Sequence, residues 1–246
     1  MIQVSNKIGF YMFAKVLTTR TCRATSLIFL DCGILHSNTL RDYDILSIVG
    51  GSEVTPYSLP WQVGIVSPGY IDPFCGGTLI GPRHVLTAAH CVDEKLQFEV
   101  VVGEHEIVYD SSDGTRHKVC GITIHPLYEI NTPEDYDFAI IRLKEPVEIG
   151  PRAVPACLAN SSMAGNTLDN ERVTVSGWGA LEEDGWGPDA LHSADVQVVT
   201  NSQCQQAYAP NNVPITDAML CASNGTYGGI DSCQGDSGGI YIKIEF

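Results

Sequence analysis

The sequence predicts an all-β protein. Twenty-four glycines and thirteen prolines among 246 residues punctuate short runs rich in β-branched side chains. Six of those runs fall between Trp61 and Leu143, a density that suggests a small closed barrel. Nine cysteines, with no C-x-x-C pair among them, point to disulfides and an oxidising compartment. Their odd number leaves at least one without an intramolecular partner. The length accommodates one large domain or two of about 100 to 120 residues.

In chain order, the apolar run Ile8 to Ala14 follows Lys7 and has the character of a signal peptide, although Lys15 interrupts it. Residues 1–31 are therefore expected to be a signal or to lie outside the fold, and a polar connector occupies 32–47. Ile48-Val49-Gly50-Gly51 is compatible with an ordinary strand start. Strands are then predicted over Trp61–Val66, Gly77–Ile80, His84–Ala88, Phe98–Val102, Val119–His125 and Phe138–Leu143. Between the third and fourth, Thr87-Ala88-Ala89-His90-Cys91 places a histidine in a small-residue turn; alone, it reads as a structural histidine. Asp137 precedes the apolar run Phe138–Ile141, where a carboxylate shielded from water needs a partner.

A link rich in Pro and Asn, from Pro155 to Asn170, divides the domain into halves, 48–160 and 161–246. Strands are expected over Val173–Gly179, Ala194–Val198 and Met219–Ala222. Asn201–Tyr208 reads as a short helix capped by Thr200 or Asn201.

The net charge of −15 excludes a basic nucleic-acid-binding surface and fits a soluble acidic protein whose field attracts cationic ligands. With no apolar stretch of about 18 residues, a spanning helix is not expected. Asn160 and Asn224 each begin an N-x-S/T sequon, a glycosylation candidate in a secreted chain.

Near the end stands Asp231-Ser232-Cys233-Gln234-Gly235-Asp236-Ser237-Gly238-Gly239. Its glycines permit a tight turn that exposes the Ser237 hydroxyl while the Gly235 and Ser237 N–H groups converge on one point, a geometry that can hold an oxyanion. A glycine-rich turn around a buried, hydrogen-bonded serine is the plainer alternative.

Together, I-V-G-G at Ile48, L-T-A-A-H-C around His90, D-F-A-I-I-R-L from Asp137, S-G-W-G from Ser176 and D-S-C-Q-G-D-S-G-G from Asp231 resemble, in order, the trypsin and chymotrypsin class of serine endopeptidases. The likeness covers Ile48 to Gly239. It implies two antiparallel six-stranded barrels, with Ser237 as nucleophile, His90 as general base and Asp137 as the group orienting the imidazole. Gly235 and Ser237 correspond to the oxyanion donors. Asp231 falls at the base of the primary specificity pocket, where a carboxylate implies cleavage after Arg or Lys; otherwise it merely caps a loop. Residues 32–47 become a propeptide, removal of which frees the Ile48 α-amino group to pair with Asp236.

The resemblance also implies disulfides Cys75–Cys91, Cys204–Cys221 and Cys32–Cys157, and leaves Cys22, Cys120 and Cys233 unassigned. No cofactor is implied for the chemistry. Glu104, Asp110 and Asp113 lie where many trypsins bind calcium, against the alternative of a solvated acidic loop. Expected partners are protein or peptide substrates with Arg or Lys at the cut, an activating protease and protein inhibitors, with neither nucleic acid nor membrane; the expected location is extracellular, as a secreted zymogen.

Two features depart from the family pattern. Ser47, not a basic residue, precedes Ile48, and the nearest upstream basic residue is Arg41. The family also continues beyond the point matching Phe246, so the second barrel is expected to be incomplete. The competing expectations are a non-catalytic homologue using the same fold for binding, or an inactive truncated fragment.

Overall fold

Alternate side chains along the strands of the first half point into a common interior, and the sheet closes on itself around them. The computed structural model describes residues 3–6, 32–33, 51–94, 97–108, 113–158, 168–180, 187–223 and 237–239. Within these the strands are β1 (Gln3–Asn6), β2 (Ser52–Glu53), β3 (Gln62–Val66), β4 (Pro73–Gly81), β5 (His84–Thr87), β6 (Glu99–Val102), β7 (Thr115–Ile124), β8 (Ala139–Leu143), β9 (Arg172–Gly177), β10 (His192–Val199) and β11 (Met219–Ser223). One α-helix, α1 (Asn201–Tyr208), runs into a 3-10 turn at Ala209–Asn211.

The barrel has the order β3-β4-β5-β8-β7-β6, with β6 pairing back onto β3. Val63, Ile65, Leu79, Val85, Val100, Ile141 and Leu143 are fully buried inside it. Removing each such side chain from water contributes about 2 kcal/mol. Space is tight enough that a Cβ on Gly77 would press on Val85, Val63 and the Leu86 carbonyl. All of β3 is buried because its outer face is covered too: Ser176 Oγ donates to Gln62 Oε1 at 2.8 Å across the two halves. Leu59, Trp61, Ala156, Trp178 and Leu191 form an apolar cluster alongside.

β9, β10 and β11 of the second half form a sheet with β1 and β2, of order β1-β11-β10-β2 and with β9 also paired to β10. Its buried cluster is smaller: Val173, Val196, Val198, Leu220 and Ala222. Thr200 caps α1 in a capping box, its hydroxyl accepting from Gln203 N while the Gln203 side chain accepts from Thr200 N. That choice resolves the Thr200-or-Asn201 alternative. Cys204 on α1 is disulfide-bonded to Cys221 on β11.

Several strands differ from the sequence reading: β4 begins at Pro73, ahead of the expected Gly77, and β10 at His192, ahead of Ala194, and three further differences have a clear cause. β7 begins at Thr115, ahead of the expected Val119, because its first residues pair with β6 while their side chains face solvent and give no apolar signal. β2 is two residues long and pairs with His192 and Ser193 of β10, too short for a periodicity. β1 comes from the segment expected to be a signal or outside the fold, and pairs antiparallel with β11, Gln3 opposite Ala222 and Asn6 opposite Met219. The expected two-barrel architecture is thus seen as one closed barrel and a second sheet.

Candidate active site

Strand register brings a histidine and an acid together at one end of the barrel. Thr87 of β5 lies opposite Ala139 of β8, so His90, three residues beyond Thr87, and Asp137, two residues before Ala139, emerge side by side. The Asp137 side chain is only 9% exposed and grips His90 twice. Its Oδ1 accepts from the His90 backbone N–H at 2.9 Å and its Oδ2 from His90 Nδ1 at 2.6 Å. A carboxylate withdrawn from water requires such donors, and short charge-assisted bonds are the strong ones. Because a carboxylate only accepts, Nδ1 carries the proton, and the Nε2 of neutral His90 is left as an acceptor.

The His90 side chain is 46% exposed, so its far side meets solvent. Its pKa is raised above the ordinary 6.5, chiefly by the hydrogen bond to Asp137; burial opposes this, and the charges of Asp137, Glu134 and Asp93 add to it. A base poised near neutrality is what proton abstraction from a hydroxyl demands.

Ser237 is seated on the barrel by its own backbone. Its carbonyl accepts from Gly76 N on β4 at 2.7 Å, and the Gly76 carbonyl in turn accepts from Thr87 Oγ1 at 2.8 Å. The next residue must be glycine: Gly238 has φ +86°, and a Cβ there would collide with Thr87 Oγ1 and the Gly76 carbonyl. Cys91 Sγ lies 3.7 Å from His90 Nε2 and 3.6 Å from the Ser237 carbonyl oxygen, so the imidazole and the Ser237 backbone share this neighbour.

His90 and Asp137 are therefore paired, with the Ser237 backbone on their shared neighbour Cys91, whereas Gly235, Asp236, Asp231 and Ile48 lie outside the described residues. All three expected disulfides are present: Cys75–Cys91 beneath the histidine turn, Cys204–Cys221, and Cys32–Cys157. Beside the last, Gly33 N donates to the Pro155 carbonyl at 2.9 Å. Cys120 is disulfide-bonded as well, which the sequence reading did not foresee. Since Cys75 and Cys91 are bonded to each other, their proximity to His90 is not a metal-ligand set.

Of the three candidate calcium ligands, Glu104 and Asp113 are among the described residues. Asp113 accepts from Tyr57 OH at 2.6 Å and from Arg152 Nη1 at 2.8 Å, so a guanidinium already supplies its counter-charge. Arg152 also stacks over the Tyr57 ring at 4.4 Å. Glu104 Oε1 faces the N–H of His105 at 3.2 Å, and Asp110 lies outside the described residues.

Sequence reasoning missed two polar contacts around the site. Buried His105 meets Glu53 Oε1 through Nε2 at 3.2 Å, and its carbonyl accepts from Trp178 Nε1 at 3.0 Å, joining β2, the loop after β6 and the residue that follows β9. Asp135 is buried and accepts from Thr216 Oγ1 at 2.6 Å. Both partners are distant in sequence, so no local motif announces them.

A family model described as Trypsin matches residues 48–244. The chain belongs to the trypsin family of serine proteases. Among its relatives, the clotting factor G beta subunit of Tachypleus tridentatus is 34% identical over 206 residues, covering 79% of this chain and 65% of the relative. Human kallikrein-8 is 34% identical over 212 residues, covering 84% and 74% respectively. The Drosophila melanogaster serine proteinase stubble is 37% identical over 202 residues, but those span only 25% of its length. A solved structure of mouse neuropsin, a serine protease, is similar with a TM-score of 0.65 and 34% identity, covering 79% of this chain and 82% of that one. The chain thus spans about two thirds of the first of these relatives and a quarter of stubble. No helix among the described residues is long and apolar enough to cross a membrane.

Proposed function

We propose that the protein is a secreted serine endopeptidase that cleaves after Arg or Lys, made as a zymogen, with its second sheet forming part of a second barrel. The observation that carries this reading is the double grip of Asp137 on His90, with the Ser237 backbone 3.6 Å from the sulfur that also touches the imidazole. In the proposed reaction Ser237 Oγ attacks the scissile carbonyl carbon and its proton passes to His90 Nε2. Asp137 holds the ring in that tautomer and stabilises the imidazolium. The Gly235 and Ser237 N–H groups receive the oxyanion, each donor of this kind being worth about 3 kcal/mol. The tetrahedral adduct collapses as His90 returns the proton to the leaving amine; water, deprotonated by the same base, then releases the acyl group and regenerates Ser237. The proposed reaction uses no cofactor.

Asp231 is proposed to select the substrate. A desolvated carboxylate at the bottom of a pocket rewards a cationic side chain and is left unpaired by a neutral one. The acidic surface, with net charge −15, adds attraction at encounter. Activation is proposed to free the Ile48 amine for Asp236, with an activating protease able to cut after Ser47, and protein inhibitors are the further partners this mechanism invites. Segment 32–47 then stays attached through Cys32–Cys157.

The test is hydrolysis of peptide amides by the chain cleaved before Ile48. Turnover of Arg and Lys amides, at least 100-fold above Leu amides and lost in Ser237→Ala, is expected. Folded, cleaved protein with no amide turnover would favour a binding role for the same fold.

A further inference from the structure

We infer that Asp135 and Thr216 form a clamp between the two halves that holds Asp137 in register with His90, making both of them positioning residues for the reaction proposed above, on which this role rests. Asp135 sits two residues before Asp137 and is 2% exposed. A carboxylate so withdrawn from water has to be paired, and the Thr216 hydroxyl donates to its Oδ1 at 2.6 Å.

The loop that needs holding is strained. Glu129, Glu134 and Tyr136 have φ of 52°, 62° and 53°, so three non-glycine residues occupy the left-handed region within the eight residues 129–136, two of them flanking Asp135. Such conformations persist only where the surroundings over-determine them. Part of the restraint is internal: Glu129 N donates to the Asp135 carbonyl at 3.0 Å, and Tyr136 stacks on His125 with ring centroids 4.7 Å apart. Another part comes from the second half, through Thr216.

Thr216 is itself immobilised. Its carbonyl accepts from Asn201 Nδ2 of α1 at 2.9 Å and from Met219 N of β11 at 3.1 Å. Its Oγ1 accepts from Ala218 N at 3.2 Å, which leaves the hydroxyl proton for Asp135. The Cys204–Cys221 disulfide locks α1 to β11 beneath it. A rigid corner of the second half thus fixes the residue from which the chain takes two steps to Asp137, and Asp137 fixes both N–H groups of His90. Displacements near 1 Å at a catalytic group cost about 100-fold in rate, so a clamp at this distance carries leverage.

The test follows the His90 imidazole by NMR titration of the full chain, assigned with His90→Gln, in wild type, Thr216→Val and Thr216→Ser. Thr216→Val keeps the shape and removes the donor. Its His90 should titrate at lower pH than in wild type, because the hydrogen bond to Asp137 loosens while Glu134 and Asp93, the other acids acting on His90, stay in place. Thr216→Ser should restore the wild-type titration. On cleaved chains, Thr216→Val should lower kcat about 10-fold with KM within about twofold, and Thr216→Ser should recover kcat. Folded Thr216→Val protein whose His90 titrates as in wild type overturns the clamp; if that variant does not fold, Thr216→Ala is read the same way. The titration needs no substrate, so a chain that turns over no amide defeats the proposed activity while the clamp is still judged on His90.

Discussion

The closed barrel and the second sheet contribute to the site in different ways. The barrel delivers a finished pair: β5 and β8 are neighbours in register, and their ends present His90 and Asp137 already bonded at 2.6 Å and 2.9 Å. Ser237 belongs to the second half but is seated on the other, at Gly76 of β4. The proposed base and its orienting acid are therefore set by strand pairing within one core, whereas the proposed nucleophile is set by contacts between the halves. The barrel interior is also the larger, with seventeen buried residues in its cluster against five in the sheet cluster among the described residues. Local unfolding should begin in the sheet and reach Ser237 before it reaches His90.

The largest expected effect breaks the finished pair. Asp137→Asn should lower kcat by roughly 10⁴-fold while the barrel stays folded, since the ring loses the acceptor that selects its tautomer. Steady-state kinetics with active-site titration checks it; a loss below about tenfold would mean that the pair is not the base assembly.

The cores can be set against each other. Ile141→Ala should cost about 3 kcal/mol and destabilise the whole chain, whereas Val198→Ala should cost about 2 kcal/mol and raise hydrogen exchange in β10 and β11 first. Equal exchange in both halves of the Val198→Ala protein would remove the distinction.

Gly238→Ala tests the seat between the halves. A Cβ at φ +86° meets Thr87 Oγ1 and the Gly76 carbonyl, so a cost of about 2 kcal/mol is expected, with kcat falling and the His90 titration preserved. Crystallography or NMR of the variant should show Ser237 displaced and Asp137 still on His90.

A smaller effect is the pH dependence of the pair. The folded pKa of His90 is raised, so its protonated form adds stability below the ordinary 6.5, and that contribution is lost as pH rises through the folded value. Denaturant melts from pH 5 to 9 should show this loss in wild type and not in His90→Gln. The acid limb of kcat/KM should likewise lie above 6.5.

Much of this comparison was legible in the residues. The barrel strands announced themselves because their apolar side chains alternate toward one interior, as Ala139, Ile141 and Leu143 do along β8. Asp137 could be recognised as a carboxylate in want of a partner, and the ordered motifs placed His90 and Ser237 with it. What stayed hidden is polar or non-local. The solvent-facing start of β7 carries no hydrophobic period, β2 is too short to have one, and β1 takes its meaning only from β11, more than two hundred residues away. Asp135 belongs to no local motif; its partner Thr216 is one that no spacing rule connects to it. The contacts of Asp113 are hidden in the same way, because Arg152 and Tyr57 approach it from distant segments.

The most direct measurement is mass spectrometry of the chain, cleaved before Ile48 at an engineered site, after exposure to a fluorophosphonate. A serine made nucleophilic by an adjacent base should carry the adduct on Ser237, and His90→Ala should lose it. Folded, cleaved protein that leaves Ser237 unmodified, or labels equally without His90, would contradict the account.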